Sequence, residues 1–177
     1  IAIMTADVTH ARECGAHGVV IGALTPEGDV DEAAVLAWKE AAGGLPLTFH
    51  RAWDVCRDPA GALETLIRLG VQRVLSSGQR ENAWDGRANL AAAVQQAAGR
   101  TSIMAGGGVD ETNAADLIAA TGVHEIHVRG TAPHQEMMSF NPHPVPFRRN
   151  WPEDERIRMV TDASRIGEIV RRVNSER

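Results

Sequence analysis

Sulfur is scarce in this chain. Its two cysteines, Cys14 and Cys56, are far apart in sequence, and no CxxC or Met-x-Met cluster accompanies them. That pattern excludes a disulfide framework and suits a reducing compartment. Basic runs are missing as well: the net charge is −5 and no Lys/Arg-rich stretch occurs. An extended phosphate backbone would find no stripe to neutralise, so nucleic acid is not an expected partner. Long apolar runs are also absent, and the N-terminus lacks the basic-then-apolar pattern of a signal peptide. Neither a membrane span nor secretion is indicated, and a cytoplasmic protein is expected.

What is present is an ordinary globular composition, 44% apolar and 23% charged over 177 residues, enough for one domain covering 1–177. The opening "IAIMTADVTHARECG" reads as the second half of a helix, with Ile3, Met4, Val8 and Ala11 apolar and Gly15 as its stop. The chain therefore reads as starting in mid-element.

Five times the sequence runs from a helix tail through a glycine and a very short link into an apolar strand. The stretches are "ARECGAHGVVIGAL", "EAAGGLPLTFH", "IRLGVQRVLSSG", "QAAGRTSIMAGGG" and "AATGVHEIHVRG". Gly15, Gly43, Gly70, Gly99 and Gly122 occupy the position where a helix end turns left-handed. Between the strands lie helical stretches such as "DEAAVLAWKEAAG" and "DPAGALETLIRLG". In the second, Asp58 is the expected N-cap, Pro59 opens the first turn, and Leu63, Leu66 and Ile67 share a face. Crossover helices make the strands parallel.

Each strand starts apolar and ends small or polar, and βα proteins bind ligands at the carboxyl ends of their strands. Those ends carry His50 and Arg51, then Ser76, Ser77, Gly78 and Gln79, then Gly106, Gly107 and Gly108, then His127 and Arg129. Five strands fit either an open flavodoxin-like sheet or five units of an eight-stranded barrel. The uniform strand-end chemistry favours the barrel. A partial barrel leaves unpaired edge strands, which invite homo-oligomer formation.

The segments "GVVIGALTPEGDVD", "LPLTFHRAWDVCRDPAGALETLIRLGVQRVLSSGQ", "IMAGGGV" and "VHEIHVRG" resemble, in order and spacing, the CutC family, named for copper homeostasis. The resemblance covers most of residues 1 to 130. It implies a (β/α)8 TIM barrel, represented here by five parallel strands as the fourth to eighth βα units, so that the domain is incomplete at its N-terminus. It also implies a cytoplasmic role in copper homeostasis with copper as partner, although no catalysed reaction is established for the family. The last strand departs from the family in "HVRGT", and "MMSFNPHPVPFRRNWPEDERI" matches the family only loosely.

Cu(I) prefers thiolate and thioether ligands, which here means Cys14, Cys56, Met104, Met137 and Met138. Cys56 follows a strand end and is the metal-ligand candidate. Cys14 is expected to be a small packed residue, and Met137 and Met138 to be structural cover in a Pro-rich loop. The candidates for proton transfer are His50, Asp54 and His127, and Arg51 is suited to clamping a carboxylate or phosphate. If the strand stayed regular, only one of His50 and Arg51 would face the barrel axis. Arg51 could instead pair with Asp54 and hold the loop.

Ser76, Ser77 and Gln79 supply donors either to a ligand or to their own turn. Gly106, Gly107 and Gly108 let backbone approach phosphate oxygens or form a tight turn, with Asp110 or Thr112 capping the helix that follows. Asp31 caps a helix; Asp29 has no such explanation. His124 and His127 fall on opposite strand faces and make poor joint ligands. The stretch "DERIRMVTDASRIGEIVRRVNSER" reads as one amphipathic closing helix. Two classes of function remain: a protein that handles copper without turnover, and a barrel enzyme or binder of a small anionic, phosphorylated molecule.

Overall fold

A computed structural model describes residues 1–135 and 157–175. Five βα units follow the expected repeat. The strands are β1 (Val19–Ile21), β2 (Leu47–Phe49), β3 (Arg73–Ser76), β4 (Ser102–Gly106) and β5 (Glu125–His127). The helices are α1 (Ala2–Glu13), α2 (Glu32–Ala42), α3 (Pro59–Arg68), α4 (Arg87–Ala97) and α5 (Ala114–Thr121). All five repeat glycines take the left-handed conformation, with φ between 59° and 83°.

The sheet order is β1-β2-β3-β4-β5 with every pair parallel. This order decides between the two architectures, because a doubly wound sheet reverses direction at a switch point whereas a barrel adds each strand beside the last. The protein is a partial (β/α) barrel.

Local chemistry explains the helix boundaries. Asp31 accepts the Ala34 N–H at 3.0 Å, and Asp58 accepts that of Gly61 at 3.1 Å with Pro59 opening α3. Asp110 does not cap α5 directly; it accepts the Thr112 N–H at 2.8 Å one turn earlier, and Asn113 is the N-cap. The core lies between sheet and helices. Ile21, Leu47, Phe49, Val74, Ile103 and Ala105 point outward from the strands against Val35, Trp38, Leu63, Leu66, Leu90 and Leu117.

Two further expectations are corrected, and one condition is not met. The final segment is not one helix: Ile157–Thr161 forms β7, antiparallel to β6 (Thr131–Gln135), and α6 (Ala163–Ser175) follows. The antiparallel ladder to β6 makes "IRMVT" a strand, and Asp162 starts the helix by accepting the Arg165 N–H at 3.0 Å. Cys14 is exposed rather than packed, because the α1 end turns it outward, beside His10 Nε2 at 3.5 Å. Third, β2 stops at Phe49, so strand alternation does not govern His50 and Arg51.

Candidate functional site

The residues after Phe49 form a 3-10 turn, Arg51–Val55, anchored by Trp53. That indole is 2% exposed and donates its N–H to the Pro59 carbonyl at 3.1 Å. With Trp53 turned inward, Arg51 and Asp54 reach over the ends of β3 and β4. His50 caps the turn, its Nδ1 accepting the Ala52 N–H at 3.0 Å. An acceptor Nδ1 leaves the proton of the neutral ring on Nε2. The ring uses the space above Gly22 at the end of β1, where an added Cβ would stand 2.2 Å from His50 Cε1.

The Asp54 side chain is 6% exposed and carries the densest hydrogen bonding at the mouth. It accepts from the Ser76 hydroxyl at 2.6 Å, the Ser77 N–H at 3.0 Å, the Gln79 N–H at 3.2 Å and Arg51 Nε at 2.7 Å. Burial works against its charge, but the bonds from Ser76, Arg51, Ser77 and Gln79 prevail and hold its pKa below the ordinary carboxylate value. Ser76 and Ser77 are fully buried, and they serve Asp54 and their own turn.

Arg51 also donates through Nη2 to Ser77 Oγ at 2.5 Å and to the Arg80 carbonyl at 3.3 Å. The guanidinium thus lies across the β3 and β4 ends, with Nη1 3.2 Å from where a Gly107 Cβ would sit. The three glycines each clear a different neighbour. Gly106 makes room for Leu75 and His127, Gly107 for Arg51 and Ser77, and Gly108 for Asn82. Gly107 (φ 104°) and Gly108 (φ 68°) are both left-handed. The N–H groups of Gly107, Gly108 and Val109 find no described acceptor. Successive free N–H groups in such a turn form an anion-binding concavity.

Gln79 is held at φ 57°, unusual for a non-glycine residue, and its Nε2 is buried with no described partner. His127 is exposed at the end of β5 beside Gly106, while His124 precedes the strand. Asp29 forms an exposed ion pair with Arg57 at 2.5 Å. Met137 and Met138 lie outside the described residues. Sequence reasoning missed a cleft of about 500 Å³ beside Gly108, lined by Asn82, Trp84, Asp85, Asn113 and Asp116 among others. Its signal in the sequence was a tryptophan between polar turn residues in "ENAWDG".

Among the described residues no group of three His, Cys, Asp or Glu side chains is arranged to hold a metal ion. Cys56 donates its thiol to the Trp53 carbonyl at 3.0 Å, and burial, aided by Asp58, Asp54 and Asp29, pushes its pKa up to about 11. A thiol kept protonated and engaged with a carbonyl is a poor Cu(I) ligand, so these residues do not fit the ion.

The CutC family model matches residues 1–132. A CutC family protein of Histophilus somni is 47% identical over 141 residues, covering 80% of this chain and 58% of the relative. One from Bacteroides thetaiotaomicron is 39% identical over 172 residues, covering 97% and 69%. The crystal structure of CutC from Streptococcus agalactiae, designated a copper homeostasis protein, superposes with a TM-score of 0.69 at 34% identity, over 71% of this chain and 62% of that one. A mandelate oxidase superposes with a TM-score of 0.52 at 15% identity, over 70% of this chain and 43% of that one, and shares the fold alone. The chain spans about 58% of the length of the first of these relatives and 69% of the second. With the family's motifs at its strand ends and the family's fold beneath them, this chain belongs to the CutC family.

Proposed function

We propose that this CutC-family protein binds a small anion, best matched by a phosphate group, at the carboxyl ends of β2, β3 and β4. One observation carries the reading: three consecutive N–H groups, Gly107 to Val109, lack a described acceptor beside Arg51 Nη1. Three backbone donors of this kind suit the several oxygens of a phosphate, and the Arg51 guanidinium adds charge-assisted bonds. Asp54 is a positioning residue in this reading: it holds Arg51 by Nε and leaves Nη1 facing the cradle. His50 and His127 are the groups available for proton transfer, and the orphaned Gln79 amide is a further donor at the same mouth. A cytoplasmic location belongs to the same proposal.

The second reading is copper homeostasis with Cu(I) as cargo, favoured by the copper homeostasis designation of the Streptococcus agalactiae relative. One pair of titrations separates the two. Calorimetric titration with inorganic phosphate is expected to give saturable binding that weakens about 10- to 100-fold in Arg51→Ala, the loss of one or two charge-assisted hydrogen bonds. Gly107→Val, which fills the cradle, should have a similar effect. Anaerobic Cu(I) titration against a competing chelator should give the same weak binding for the protein and for Cys56→Ser. Tight binding that collapses in Cys56→Ser, with no phosphate binding, would instead establish the copper reading.

A further inference from the structure

The anion cradle does not stand alone. Gly108, whose N–H belongs to it, is also a wall of the cleft of about 500 Å³ between the β3–α4 and β4–α5 connections. That volume exceeds what a single phosphate needs. The cleft is polar, and its amides are already committed. Asn82 Nδ2 donates to Asp85 Oδ2 at 2.7 Å and its Oδ1 accepts the Asp85 N–H at 2.9 Å. Asn113 Nδ2 donates to the Gly108 carbonyl at 2.8 Å, and its Oδ1 accepts the Asp110 N–H at 3.1 Å.

The groups left for a ligand are the Asp116 carboxylate, the second oxygen of Asp85 and the side chain of Trp84, a residue 38% exposed. Carboxylate acceptors beside an aromatic surface are complementary to C–H faces and hydroxyl donors. Arg87 already stands over the Trp84 ring at 4.7 Å, so a cation on that ring would meet a like charge.

Resting on the anion reading above, we infer that the ligand is a phosphorylated polyol of sugar size, its phosphate in the Gly107–Val109 cradle and its hydroxyl-bearing body in the cleft against Trp84 and Asp116. The junction at Gly108 fixes the order of the two parts.

Calorimetry with three probes tests this: inorganic phosphate, ribose 5-phosphate and O-phosphoethanolamine. Ribose 5-phosphate is expected to bind at least tenfold more tightly than phosphate. Asp116→Asn and Trp84→Ala should each remove most of that gain while leaving phosphate affinity within twofold, a result that also shows both variants to be folded. Equal affinity for ribose 5-phosphate and phosphate, or a gain that survives both substitutions, overturns the cleft assignment and leaves the anion site standing. A larger gain with O-phosphoethanolamine overturns the polyol in favour of an amine. Failure of all three probes to bind removes the anion site and this inference with it.

Discussion

The two faces of the five-stranded sheet are held together in different ways. The face under the helices is dry: Ile21, Leu47, Phe49, Val74 and Ala105 are at most 1% exposed. The concave face alternates with it along every strand, and there Val20 is 64% exposed. That face is organised by polar contacts instead. Arg73 forms an ion pair with Glu125 from β5 and donates to Thr48 Oγ1 on β2 at 3.2 Å, so one side chain ties together β2, β3 and β5. The contrast shows burial holding the helix-covered face, while the concave face and its mouth are arranged by hydrogen bonds and ion pairs.

The largest effect is expected on the dry face. Phe49→Ala should cost about 3–5 kcal/mol in urea unfolding, because a buried aromatic is lost and its cavity cannot fully collapse. At the mouth, Asp54→Ala should cost on the order of 3 kcal/mol, since Arg51 loses its partner and the donors of Ser76, Ser77 and Gln79 lose their acceptor.

The same carboxylate gives a pH signature. Its pKa is lowered on folding, so its contribution is fully present above the ordinary value of 3.8 and is lost as pH falls through the lower folded value. The melting-temperature difference between the protein and Asp54→Asn should therefore shrink on acidification in that window, and a constant difference would contradict the network.

On the concave face, Arg73→Met should cost under about 1 kcal/mol, because the pair with Glu125 is partly open to solvent. Val20→Ser should fall within about 0.5 kcal/mol; a loss comparable to that of Phe49→Ala would erase the distinction between faces. The two thiols sharpen it further: at pH 8 iodoacetamide should label exposed Cys14 well before Cys56, whose pKa near 11 keeps it protonated.

Much of the fold was legible because its signals are local. Glycine stops, the Asp31 and Asp58 caps and apolar strands each follow from a few adjacent residues, and their repetition marks a βα protein. The tail was misread because Ile157 and Val160 fall at helical spacing, and only pairing with β6, distant in the chain, makes the stretch a strand. The mouth was legible in position but not in detail. His50, Arg51 and the glycine triplet were found from strand ends, whereas the saturation of Asp54, the burial of Ser76 and Ser77 and the cleft at Trp84 depend on how separate loops meet.

The sequence by itself determined the repeat, the parallel strands and the set of donors at their ends, since each rests on backbone preferences within one βα unit. The tertiary structure decided the order of the strands, which makes the sheet a partial barrel. It also decided that Asp54 spends its charge on Arg51 and the β3 turn while Gly107 to Val109 keep their N–H groups free of any described acceptor. Those outcomes depend on contacts between residues distant in the chain, where burial and geometry, rather than residue type, set which groups are satisfied.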